Sequence, residues 1–320
     1  MRYKKYGSTD MNVSAITVGT WAIGGERWGD INDQSSIEAI REMVNNGVNF
    51  IDTAPAYNRG HAEEVVGQAI KVFNRNDLYI STKFGLPIGD GHGGYKRENV
   101  LMECDDSLRR LGIDYIDLYM FHWPDRRDHT PVEESMSALL ELQKAGKIRY
   151  IGCSNFSKEQ LLEARQFVDV VSILPEFSML SRAAQPLMQW CKENGVGTMT
   201  YGSLGSGLLT GAIREMPKFE ENDARLRFYG KYYEPETFAK IQDLLKVLDE
   251  VAANHGGSVA QVTVNWQTQN DLVGTALMGV RNKEEAKENC DGTLWSLSAD
   301  EIAAIDKALD QFNIQGRDRF

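Results

Sequence analysis

Four residues, each at or just beyond the end of a short apolar run, bring together an acid, a phenol, an amine and an imidazole: Asp52, Tyr57, Lys83 and His122. Asp52 closes Val-Asn-Phe-Ile (48–51) and opens Asp-Thr-Ala-Pro-Ala-Tyr; Lys83 closes Leu-Tyr-Ile-Ser-Thr-Lys; His122 closes Ile-Asp-Leu-Tyr-Met-Phe-His. Gathered at one point they would make a proton-transfer site. A phenol ordinarily titrates near pH ~10, and an ammonium beside it favours its ionised form. A carboxylate would hold that ammonium charged, and an imidazole can orient an oxygen or relay a proton. Such a set protonates an oxygen as it gains negative charge, which is the requirement when hydride adds to a carbonyl. Singly, each residue has an ordinary structural reading: a strand-end ion pair, a packed loop tyrosine, a core imidazole. Their joint occurrence at successive strand ends is what points to chemistry.

For the four to meet, their strands must run parallel with the carboxyl ends on one face. Strand-like runs at 15–19, 49–52, 78–83, 116–122, 148–154, 170–176, 197–201 and 275–278 alternate with amphipathic runs at 35–46, 62–72, 97–111, 132–145 and 158–167. Gly47 and Gly146 stop two of these helices, and Ser157 with Gln160 reads as a capping box. Strict alternation implies right-handed crossovers and a parallel sheet. Eight units favour a closed α/β (β/α)8 TIM barrel, and the open dinucleotide-binding sheet lacks its G-x-G-x-x-G after the first strand. The expectation is a single domain over 1–320. Residues 1–13 form a hairpin capping the barrel floor, and long loops lie at the C-terminal face. The longest, 211–235, carries Arg225, Arg227, Phe228, Tyr229, Tyr232 and Tyr233, and loops of this length often serve as lids. A last helix is expected at 298–310.

Composition narrows the partners. The chain has 320 residues, 42% hydrophobic and 25% charged, with a net charge of −11, which argues against nucleic acid or an anionic membrane surface. No run of ~18 apolar residues is present, so no span is expected, and the N-terminus lacks the apolar stretch of a signal peptide. Cys104, Cys153, Cys191 and Cys290 are far apart and read as reduced structural thiols in a cytoplasmic protein. No metal site is read.

The segments around the four residues carry a more specific likeness: Gly19-Thr-Trp, Asp52-Thr-Ala-Pro-Ala-Tyr57, Ser81-Thr-Lys83, His122-Trp-Pro, Gly152-Cys-Ser-Asn-Phe156, Tyr201-Gly-Ser-Leu-Gly-Ser-Gly-Leu-Leu-Thr-Gly211 and Gly279-Val-Arg281. In this order, and almost end to end, the chain resembles the aldo-keto reductases. The resemblance implies that Tyr57 donates a proton to a carbonyl oxygen, that Lys83 and Asp52 tune it, and that His122 orients the substrate. It implies a nicotinamide cofactor, with NADP(H) preferred and NAD(H) the other option. Gly19, Thr20 and Trp21 would lie along it. Ser154 and Asn155 would bond the carboxamide, Tyr201 would stack under the ring, and Ser203, Leu204, Ser206 and Leu208 would line the pyrophosphate. Gly279, Val280, Arg281, Glu285, Glu288 and Asn289 would meet the adenosine end, with Arg281 on a 2′-phosphate and Glu288 and Asn289 at the adenine. Two departures stand out. Leu174 occupies the place of a usual glutamine on the sixth barrel strand, and Glu285 that of a usual Arg or Gln. Trp21, Trp28 and Trp123 are candidate walls for a small carbonyl or alcohol substrate, sugars and aryl aldehydes among them. Two other readings are a cofactor-binding sensor or regulatory subunit with little turnover, and a barrel glycosidase using Asp52 and Glu176. The latter gives Lys83 beside Tyr57 no purpose.

Overall fold

The computed structural model describes residues 1–24, 32–89, 92–219 and 224–314. Two short strands, β1 (Tyr3–Lys5) and β2 (Asn12–Ser14), form an antiparallel hairpin. Eight more follow: β3 (Ile16–Gly19), β4 (Phe50–Asp52), β5 (Tyr79–Phe84), β6 (Ile116–Phe121), β7 (Ile148–Ser154), β8 (Val170–Leu174), β9 (Gly197–Thr200) and β10 (Thr275–Gly279). These eight pair in parallel in chain order, and β10 closes on β3 to complete the barrel. The expected (β/α)8 architecture is therefore the one observed.

The strands are buried on both faces because helices pack outside them and side chains fill the interior, the arrangement that continuous apolar runs encode. Two apolar clusters lie between strands and helices. A third fills the barrel and includes Phe50, Leu118, Met120, Leu174 and Met199. The hairpin seals its floor by adding Tyr6, Met11 and Val13 to that cluster. A Cβ at Gly197 would stand 2.7 Å from the Tyr6 ring, so the plug requires a glycine in β9.

Local signals fix most helix ends. Ser157 and Gln160 form the expected capping box on helix Lys158–Ala164, and Gly47 and Gly146 take the left-handed conformation after their helices. The segment 211–235 is not the continuous loop expected. Ala224–Tyr229 is α-helical, Gly230–Tyr233 forms a 3-10 turn, and helix Pro235–His255 begins directly afterwards; residues 220–223 lie outside the described residues. Helices Gln185–Glu193 and Val259–Gln269 were not evident in the sequence. All four cysteines are free and buried. Burial pushes the thiols of Cys104, Cys191 and Cys290 up to about 12, which makes them poor nucleophiles.

Candidate active site

Parallel strands deliver the four residues to one mouth. Asp52 is the last residue of β4, Lys83 the penultimate residue of β5, and His122 follows β6 directly. Lys83 Nζ donates to Asp52 Oδ2 at 2.6 Å, to the Thr53 carbonyl at 2.9 Å and to Tyr57 Oη at 3.3 Å. Tyr57 meets His122 edge to face, with ring centroids 5.6 Å apart.

The charges follow from burial and pairing. Burial alone would drive the Lys83 ammonium toward neutrality, but Asp52, followed by Tyr57, reverses this and raises its pKa. Burial pushes the Asp52 carboxyl up against the opposing pull of Lys83 and Ser81. Tyr57 differs from the expected direction. Lys83 does pull its pKa down, but burial and the Asp52 charge outweigh it and the net shift is upward. Tyr57 is thus a neutral phenol at neutral pH. Burial and the adjacent Lys83 hold His122 well below the usual imidazole value, so it too is neutral.

Two supporting contacts were not read from the sequence, one from Ser81 and one from Thr20, which was expected along the cofactor. Ser81 Oγ donates to Asp52 Oδ1 at 2.7 Å, and Thr20 Oγ1 donates to the Asp52 carbonyl at 3.0 Å. Ser81 lies two residues before Lys83, so strand periodicity puts both on one face and could have revealed it. The turn after Tyr57 is strained: Asn58, Arg59 and Gly60 are all left-handed, with φ of 50°, 54° and 88°. Left-handed residues other than Gly cost free energy and cluster where the surroundings over-determine the backbone. Here the turn is closed by Gly60 N–H to the Pro55 carbonyl at 2.7 Å.

The expected cofactor residues lie along the same rim. Gly19 and Gly279 are register partners at the ends of β3 and β10. Ser154 ends β7, and Asn155 follows it. Tyr201 directly follows β9, and its hydroxyl donates to Asn155 Oδ1 at 2.8 Å. Beyond it, Gly205, Ser206 and Gly207 all have positive φ. The Ser203 and Ser206 hydroxyls are buried with no hydrogen-bond partner among the described residues. Buried polar atoms are rarely left so, and two unspent hydroxyls on a sharply turned loop fit a ligand group rich in acceptor oxygens, such as a pyrophosphate. Leu208, by contrast, is fully covered within the core cluster, so its side chain offers no ligand contact. Val280 and Asn289 are buried and Glu288 is half-buried. Asn282 caps helix Lys283–Asp291 by accepting from Glu285 N–H. Glu285 turns back onto Arg281: its Oε1 accepts from Nη2 at 2.6 Å and its Oε2 from the Arg281 N–H at 2.9 Å.

At the outer edge, Trp21 meets Phe228 of helix Ala224–Tyr229 edge to face at 5.2 Å, so the segment after β9 reaches one of the expected wall residues. The Trp123 carbonyl accepts the Tyr95 hydroxyl at 2.8 Å. Trp28 lies outside the described residues. Among those residues no metal-binding cluster forms, and no helix is long and apolar enough to cross a membrane.

Residues 15–310 match the model of the aldo/keto reductase family. The chain is 36% identical to aldo-keto reductase YhdN of Bacillus subtilis, covering 97% of this chain and 94% of that protein. It is 35% identical to the NADH-specific methylglyoxal reductase of Escherichia coli, covering 88% and 90%. The structure of the glycerol dehydrogenase AKR11B4 from Gluconobacter oxydans superposes with a TM-score of 0.87 at 31% identity, covering 99% and 97%. The shared barrel and likeness over nearly whole chains agree with the chemistry at the mouth: the chain belongs to the aldo/keto reductase family and is a nicotinamide-dependent oxidoreductase.

Proposed function

We propose that this protein reversibly reduces a small aldehyde or ketone to an alcohol, with Tyr57 as the proton donor. The observation that carries the reading is a phenol hydroxyl 3.3 Å from an ammonium that is itself fastened to a buried carboxylate. When bound, a reduced nicotinamide supplies the hydride to the carbonyl carbon. Tyr57, neutral at the working pH, gives its proton to the carbonyl oxygen. Lys83 stabilises the phenolate left behind, and Asp52 keeps Lys83 charged and aimed. His122, also neutral, orients the carbonyl oxygen and leaves proton donation to Tyr57. Ser154 and Asn155 would meet the carboxamide, Tyr201 would support the ring, and Ser203, Leu204 and Ser206 would hold the pyrophosphate. Trp21, Phe228 and Trp123 shape the mouth, and aromatic walls of this kind suit sugars and aryl aldehydes.

The choice between cofactors turns on Arg281. A 2′-phosphate needs a charge-assisted bond from a free guanidinium, and Glu285 already occupies that guanidinium while adding a negative charge beside it. This supports a site that takes NAD(H) at least as well as NADP(H), against the NADP(H) preference expected from the sequence. The name of the Escherichia coli relative, which specifies NADH, points the same way.

The test is an aldehyde and polyol panel run in both directions with both cofactors, following absorbance of the reduced nicotinamide. Turnover with any carbonyl supports the reading. Cofactor binding without turnover on the whole panel would replace it with the sensor reading. Glu285→Gln should tighten NADPH binding by about tenfold, the order of one charge-assisted bond regained. An unchanged NADPH-to-NADH ratio would remove Glu285 from cofactor choice.

A further inference from the structure

A carboxyl that the proton-transfer set does not use lies just outside the same strand ends. Glu103, on helix Arg97–Leu111, is 1% exposed. The nearby buried Glu63 is satisfied, accepting from Thr82 Oγ1 and from Arg110 Nε, each at 2.6 Å. Glu103 Oε2 accepts a single bond, from the Gly85 N–H at 3.3 Å, and its Oε1 has no partner among the described residues. Burial pushes its pKa up to about 8, with the charges of Glu63 and Asp106 adding to the shift and the Gly85 bond and Arg110 opposing it. An apolar side chain would occupy this space more favourably than a carboxyl so poorly paired. What the carboxyl holds gives it a purpose.

The N–H it holds belongs to the Phe84–Gly85 peptide, and the carbonyl of that same peptide reaches the barrel mouth. The Phe84 carbonyl accepts from the His122 N–H at 3.0 Å. A trans peptide is planar, with its N–H and carbonyl pointing in opposite directions, so fixing one fixes the other. A single rigid unit thus joins Glu103 to the backbone of His122. Gly85 then turns out of the strand at φ 102°, a conformation that glycine adopts readily and other residues do not. A Cβ there would stand 2.2 Å from the Tyr95 ring, so Tyr95 packs directly on the turn. The Tyr95 hydroxyl donates to the Trp123 carbonyl at 2.8 Å, and its own carbonyl accepts from Ser135 Oγ at 2.5 Å. Two consecutive residues of the mouth, His122 and Trp123, are therefore tied by their main chains to the Gly85 turn.

We propose that Glu103 is a positioning residue for the substrate: gripping the Phe84–Gly85 peptide from outside the barrel, it sets where the His122 imidazole and the Trp123 wall stand. Neutral or ionised, the carboxyl keeps an oxygen for the Gly85 N–H. The grip therefore depends on an acceptor at this reach and not on its charge. The expected cofactor residues at the ends of β7, β9 and β10 lie outside this chain of contacts, so Glu103 acts on the substrate side of the mouth.

This inference rests on the proposed function, and its test separates the two. Glu103→Met fills the space and removes the acceptor. Glu103→Asp keeps an acid but withdraws it from Gly85, and Glu103→Gln keeps an acceptor at full reach. KM and kcat are read from reduction of one aldehyde, and cofactor Kd from quenching of intrinsic tryptophan fluorescence. Loss of one hydrogen bond predicts aldehyde KM raised by about five- to tenfold in the Met and Asp variants, with kcat and cofactor Kd within about twofold of the parent. The Gln variant should keep KM within about twofold as well. A carboxyl with a structural role alone would lower the folded fraction, and so kcat per mole of chain, without moving KM. An Asp variant with unmoved KM, beside a parent that turns over, overturns this inference alone, whether or not Glu103→Met folds. A Gln variant with KM raised as far as in the Asp variant also overturns it, since an acceptor at full reach would then not be what matters. A parent that turns over no carbonyl overturns the proposed function and this inference with it.

Discussion

The two ends of the barrel are built from the same residue types and behave in opposite ways. At the mouth, a tyrosine and a lysine meet over a carboxylate: Tyr57, Lys83 and Asp52. At the floor, the hairpin places buried Tyr6 and half-buried Lys4 with no carboxylate hydrogen-bonded to the amine. Tyr6 Oη shares a 2.6 Å bond with Ser172 Oγ. Lys4 Nζ donates to the carbonyls of Thr268, Asn270 and Val273 at 2.9, 3.3 and 2.8 Å. Burial raises the pKa of both tyrosines. The lysines part ways. Burial lowers Lys4 to about 8, whereas Asp52 overcomes burial and raises Lys83. A half-buried amine bonded only to backbone carbonyls, with the more distant charge of Asp271 too weak to offset burial and those of Arg2 and Lys192 adding to it, closes the floor and caps the end of a helix. The same amine on a buried carboxylate keeps its charge and can stabilise a phenolate. The carboxylate is what separates a structural plug from a proton donor.

The sharpest way to break this comparison is Tyr57→Phe. Removal of a general acid should lower kcat/KM for carbonyl reduction by about a thousandfold while cofactor Kd, measured by fluorescence, stays unchanged. Retained turnover would take the proton-donor role from Tyr57. Asp52→Asn comes next. It strands the Lys83 charge in the interior, so urea unfolding should show a loss of about 3–5 kcal/mol together with lost activity. At the floor, Lys4→Met should lower stability by about 1–3 kcal/mol, the scale of carbonyls left unpaired, with kcat/KM unchanged. A loss of activity comparable to that of Asp52→Asn would mean the two ends are not separate devices. Tyr6→Phe should cost about 1 kcal/mol, again without kinetic effect.

The smallest effects concern pH. Reduction requires protonated Tyr57, whose pKa lies above its ordinary 10.0, so kcat/KM should hold through neutrality and fall only above pH 10. An alkaline limb near neutrality would show that the Lys83 effect dominates after all. For His122 the folded-state pKa lies well below 6.5. Below pH 6.5 the unfolded chain therefore takes a proton that the folded chain refuses, and stability declines as pH falls. Denaturant titrations of His122→Gln should show a shallower acid slope than the parent; equal slopes would mean that His122 is not held neutral.

Residue types and local periodicity were enough to find the strand order, the helix stops at Gly47 and Gly146, the cap at Ser157 and the four chemical residues. Each of those is encoded within a few positions of itself. Three helices escaped notice, although Gly256 stops Pro235–His255 and Ser258 caps Val259–Gln269. Gln185–Glu193 and Pro235–His255 have no side-chain cap, and Val259–Gln269 is buried along almost its whole length, leaving no polar stripe to betray its period. The direction of the Tyr57 shift could not be read either, since it depends on how much water the closed barrel excludes relative to the pull of Lys83. The Arg281–Glu285 pair depends on side-chain direction, and the Tyr201–Asn155 bond on how the ends of β7 and β9 are placed. Sequence alone determined which groups are present and which strand end carries each. Closure of the barrel decided their charge states and their partners, because desolvation and hydrogen-bond reach are properties of residues brought together from different strand ends.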